Sequence, residues 1–84
     1  MDITNRTPMP FAFELMDGRT LRSVGEASAF FSGLKQDQRD RSYWQIAIRM
    51  FAHTMKEPAY LKAATMSLQT ALLMEGLLQS ELQG

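Results

Sequence analysis

His53 is the only histidine of the chain, and cysteine is absent. A metal site needs several ligands that converge, and nucleophilic catalysis needs a base beside its nucleophile. Within helical reach His53 has only Arg49, Lys56 and Glu57, which supply neither. The expectation is a solvated surface histidine. Asp37 and Asp40 lie among basic residues of a polar stretch, and Asp17 stands before Gly18, where turn chemistry accounts for it. Gly18, Gly25, Gly33 and Gly76 are scattered and build no phosphate-cradling loop. No catalytic, cofactor-binding or metal-binding residue is assigned, no small-molecule ligand is evident, and the chain is not expected to be an enzyme.

Binding is a different matter, because it needs surface rather than reactive groups. Between Lys35 and Lys62, six basic residues stand against three acidic ones. Arg39, Arg41, Arg49 and Lys56 are candidates for one basic surface, which Asp37 and Asp40 interrupt. A weak nucleic-acid-binding regulator is therefore the alternative reading, and an ordinary solvated face the plainer one. Nine Lys/Arg balance nine Asp/Glu over the whole chain, unlike a strongly basic binder. A second surface is apolar. Met66 and Leu73 are seven residues apart on the side of their helix turned from the expected core. Leu77 would extend that row only if the helix ran past Gly76. A homodimer or an unknown protein partner would cover it.

The elements that position these residues can be read from periodicity. Ser42 to Met55 carries Trp44, Ala47, Ile48, Phe51 and Met55 as one apolar stripe, with Tyr43, Ile46 and Met50 beside it. So wide an apolar arc predicts a central helix covered on two sides. Ser42 with Gln45, or Asp40, would cap its start. Before it, Phe11, Phe13 and Leu15 alternate with Ala12 and Glu14 as in a half-buried strand. A two-residue turn at Asp17-Gly18 would set Glu14 against Leu21 and bury a charge. A three-residue loop, Met16-Asp17-Gly18, sets Phe13 against Leu21 and puts Gly18 where a left-handed residue is needed. Ser23 and Glu26 form a capping box for a first helix with Ala27, Phe30, Phe31 and Leu34 inward, ending near Leu34 or Lys35.

The run KQDQRDR reads as an exposed connection. Pro58 suits the start of a third helix whose core side holds Tyr60, Leu61, Ala64, Leu68, Ala71 and Leu72. Glu75 would fall on that same side, which favours a helix end there, with Gly76 as left-handed cap and Leu77 closing over it. The whole is an α+β domain, an N-terminal β-hairpin followed by three helices. Residues 1–9 are a loose lead-in, 10–77 the domain, and 78–84 a tail or helix extension.

The order of these signals resembles a family of small uncharacterised alpha-proteobacterial proteins known only as a domain of unknown function. Asp17-Gly18-Arg19, Ser23-Val24-Gly25-Glu26-Ala27, Phe30-Phe31, Tyr43 with Ala47, and Ala71 through Gly76 carry the likeness. It implies the hairpin-plus-helices fold and brings no activity with it. With 84 residues and 45% hydrophobic content, one small domain is expected. No cysteine, no apolar leader and no long apolar run predict a cytoplasmic protein without a membrane span.

Overall fold

The computed structural model describes residues 3–83, with side chains through residue 79. Met1, Asp2 and Gly84, the ends of the expected lead-in and tail, lie outside the described residues. Two strands, β1 (Pro8–Leu15) and β2 (Thr20–Ser23), precede four helices: α1 (Val24–Ser32), α2 (Gln36–Arg39), α3 (Ser42–Lys56) and α4 (Leu61–Met74). A third strand, β3 (Leu78–Gln83), returns to the hairpin, and the antiparallel sheet runs β2-β1-β3. The chain is a small α+β domain with its hairpin at the N-terminal end.

The hairpin has the expected register. Phe13 pairs with Leu21 and Glu14 with Thr20. The Leu15 amide donates to the Arg19 carbonyl at 2.8 Å, so Met16, Asp17 and Gly18 form the loop between them. Gly18 has φ +92°, a conformation that a side chain makes costly. Phe13 and Leu15 are fully buried, and Phe11 is half-buried.

Beyond the hairpin, the lead-in is held more firmly than expected. Val24 donates to the Thr7 carbonyl and Gly25 to the Asn5 carbonyl, both at 2.9 Å, while Met9 is buried. These two amides open α1 and have no partner within the helix, so the incoming chain supplies one. The capping box itself is present: Glu26 N–H donates to Ser23 Oγ at 3.2 Å, and Glu26 Oε1 accepts from the Ser23 amide. The helix ends at Ser32, earlier than the expected Leu34, with the Gly33 amide shared between the Ala29 and Phe30 carbonyls.

The polar connection is not a plain loop. Gln36 to Arg39 form one helical turn, and the Gln38 side chain accepts from the Lys35 amide at 3.0 Å. That turn also overturns the expected start of α3. Asp40 ends α2 in a helical conformation, so it cannot take the extended backbone that an N-cap requires. Arg41 holds the cap position instead, with no side-chain bond, and Ser42 is already helical.

In α3, Trp44, Ala47 and Phe51 are buried as expected, and Thr54 joins them by donating to the Met50 carbonyl at 2.9 Å. Trp44 packs on Phe30 and Phe31, with ring centroids 5.6 and 6.2 Å away. Tyr43, Ile48 and Met50 are only half-buried, and Ile46 and Met55 are 50% exposed. The two-sided cover expected for this helix is therefore partial. Its neighbours, α1 and α4, fill one broad flank and leave the flank at Ile46 to solvent.

Pro58 opens a 3-10 turn, Pro58–Tyr60, and the α-helix begins only at Leu61. The tighter turn takes Tyr60 off the core side, where it is 45% exposed. Ala64, Leu68, Ala71 and Leu72 are fully buried as expected, together with Thr65, whose hydroxyl donates to the Leu61 carbonyl at 2.8 Å. The helix stops at Met74. Gly76 has φ +69°, its amide donates to Leu73, and the Leu77 amide donates to Leu72 at 2.9 Å. These are the paired bonds of a Schellman cap. The segment after the cap is neither tail nor helix extension. Residues 78–83 form β3, pairing along β1 from Leu15 with Leu78 to Phe11 with Gln83.

Candidate functional site

α4 buries one side and leaves another bare. Met66 is 50% exposed, Leu73 59% and Met74 65%. Met66 and Leu73 stand almost in line along the helix, because seven residues make nearly two turns. Leu77 is not part of their row. The Schellman cap turns the chain at Gly76, and Leu77 is half-buried against the core instead. Met74 is exposed as well, but it is turned about 100° round the helix from Leu73 and lies beside the row, not in it.

The four basic candidates divide into two engaged and two free. Arg39 folds back on the end of α1, where its Nη2 donates to the Ser32 carbonyl at 2.8 Å. A cation there meets the negative end of a helix. Arg41 donates to Glu75 at 2.5 Å and to the Tyr43 hydroxyl at 3.3 Å. Arg49 and Lys56 have no such partners among the described residues; both line a shallow hollow of about 250 Å³ with Ala52 and His53. A single continuous surface through all four is not what the side chains make.

His53 is exposed, as expected, and its ring stacks on Tyr60 with centroids 5.5 Å apart. Asp17 is spent on its own turn: Oδ1 accepts from the Arg19 amide at 3.0 Å and Oδ2 from Arg19 Nε at 2.7 Å. The amide bond is the main cause that holds the Asp17 carboxyl below its ordinary range. Arg19 in turn lies over the Phe30 ring, 5.3 Å from its centre.

Glu75 is the charged residue that the sequence undervalued. It accepts from Trp44 Nε1 at 2.7 Å and from Arg41, and its side chain is 11% exposed. The indole hydrogen bond, with Arg41 beside it, holds this carboxyl below its ordinary value. The network ties the end of α4 to the start of α3. Its signal was legible: a carboxylate on the core side of a helix needs a donor, and Trp44 needs an acceptor. Spacing alone does not bring residues 31 positions apart together.

Among the described residues, no cluster of three or more His, Asp or Glu could hold a metal ion. Nor is any helix there long and apolar enough to cross a membrane. The arrangement defines a small α+β domain with one bare apolar helix face and one basic hollow. No family model, curated protein or solved structure matches the chain.

Proposed function

We propose that this chain is a small non-catalytic interaction module that pairs with a second copy, or docks a protein partner, through the outer face of α4. The observation that carries the reading is the exposure of Met66 and Leu73 at i and i+7, with Met74 beside them. Single exposed apolar side chains are ordinary, but an aligned set on one helix of so small a domain is a surface to be covered. Lys62 and Thr70 are exposed and Gln69 is half-buried around it, which gives an apolar centre with a polar rim. In a symmetric pair with antiparallel α4 helices, Leu73 of one copy comes near Met66 of the other. The likeness to the small alpha-proteobacterial family belongs to the same proposal and adds no chemistry to it.

Light scattering across a roughly hundredfold concentration range tests the reading, because a reversible dimer changes mass by mass action. Leu73→Glu is expected to shift the equilibrium to monomer with the circular dichroism unchanged, since the new charge would be desolvated only at the contact. A wild type that stays monomeric throughout rejects self-association and leaves a heterologous partner. Unfolding by Leu73→Glu would instead make the residue part of the core and end the proposal.

A further inference from the structure

Arg49, His53 and Lys56 fall at i, i+4 and i+7 of α3, on one face of the helix. With Ala52 they line one hollow of about 250 Å³, and no carboxylate lines it. Arg6, Arg22, Lys35 and Lys62 also lack a side-chain partner among the described residues, but none of them lines this hollow, whereas three other cations are engaged, Arg39 with the Ser32 carbonyl among them. Arg19 is paired with Asp17 and Arg41 with Glu75. Among the described residues, the Arg49 guanidinium, the Lys56 ammonium and the His53 ring nitrogens have no hydrogen-bond or ion-pair partner. Glu57, next to Lys56 in sequence, is not among the residues that line the hollow. Stacking on Tyr60 holds the His53 ring in place, so one wall is fixed by packing and not by a polar bond.

We propose that the Arg49–His53–Lys56 hollow binds a phosphate group. Arg49 and Lys56 both line the hollow, so an anion seated in it meets a permanent cation from each. A guanidinium offers a planar fork of donors, an ammonium a compact point charge, and an imidazole a ring N–H. Together these suit a compact tetrahedral oxyanion with two negative charges better than a single carboxylate. Ala52 keeps the hollow open, because a longer side chain at that position would intrude on it. The site is independent of the α4 face, and neither proposal needs the other.

The phosphate can belong to a free metabolite or to a lipid headgroup, and two arms of one experiment separate them. In the first, pyrophosphate is titrated into the labelled protein and amide shifts are followed, with sodium chloride at matched ionic strength as control. Saturable shifts centred on residues 49–56 are expected, with a Kd on the order of 1 mM for a few exposed charge contacts. The doubly substituted Arg49→Gln/Lys56→Gln protein should bind at least about tenfold more weakly. Both side chains are exposed and unpaired, so its circular dichroism should match the wild type, which keeps the comparison valid. In the second arm, the protein is sedimented with phosphatidylcholine vesicles with and without phosphatidic acid. Binding to pyrophosphate alone assigns a free phosphate; added retention by phosphatidic acid, lost in the double variant, assigns a headgroup. Shifts equal to those in sodium chloride, or unchanged in the double variant, overturn the proposal.

Discussion

Glu75 decides more at the scale of single residues than its place near a polar chain end would suggest. Its carboxylate is the acceptor for the buried Trp44 indole and the partner of Arg41. Glu75→Ala leaves the indole N–H without a partner and should destabilise the domain by about 2 kcal/mol. Glu75→Gln, which keeps an acceptor, should cost less. Urea denaturation of both variants checks the order; equal stabilities would mean that the network is idle. The same residue carries a pH dependence. Its carboxyl is held down in the folded state, first by the indole bond and then by Arg41. A depressed folded-state value means that the contribution is complete above the ordinary value of 4.5 and is lost as pH falls below it. Glu75→Gln should therefore flatten the loss of stability on acidification from about pH 5 downward. A slope equal to that of the wild type would place the acid sensitivity elsewhere.

The ends and turns of the elements depend on three glycines, two through a positive φ and one through a close backbone approach. Gly18 sits in open space but at φ +92°, so the cost of a side chain there is conformational. Gly18→Val should lower the melting temperature more than Asp17→Ala, because a β-branched residue is poorly suited to a left-handed position. Equal melting temperatures would contradict the loop geometry. Gly25 has no positive φ, and a helix normally gains about 1 kcal/mol when glycine becomes alanine. Here a Cβ would stand 2.7 Å from the Asn5 carbonyl oxygen and 2.8 Å from Asn5 Cβ. The first of these is backbone, tied down by the Gly25 amide itself. Gly25→Ala should thus destabilise, against its helix propensity, and should loosen residues 3–7. Amide exchange at Gly25 checks this: faster exchange is expected, and unchanged protection would show that the lead-in yields freely. Gly76 ends α4 at φ +69° and redirects the chain toward β3.

Over the whole molecule, β3 converts a hairpin into a sheet. Two strands are marginal in water, and a third gives β1 hydrogen-bonding neighbours on both edges. It also covers the strand that contributes Phe13 and Leu15, both buried to within 2%. A chain ending at Leu77 should lose about 3 kcal/mol or more, a large share of the stability of so small a domain. Thermal unfolding by circular dichroism should show a much lower and broader transition. A truncated protein that melts like the full chain would mean that β3 is an ornament.

Local chemistry alone determined the hairpin loop, the capping box, the Gly76 cap, the core side of α1 and, Tyr60 apart, that of α4. Each depends on residues within a few positions, where parity, a short side chain or a positive φ leaves one sound choice. Met66 and Leu73 were also legible, since helix geometry sets them opposite Ala64, Leu68 and Ala71 without reference to the rest of the chain. Other features waited on tertiary structure because their partners are remote in sequence. Asn5 reaches Gly25 across the length of the hairpin, and Glu75 reaches Trp44 across 31 positions. The segment 78–83 has too few apolar residues in alternation to announce a strand; β1 offers it an unpaired edge, and hydrogen bonds to that edge decide its form. The partition of Arg39 and Arg41 from Arg49 and Lys56 has the same origin. Charge along a sequence says which side chains can pair, and only folding brings a carboxylate or a carbonyl within their reach.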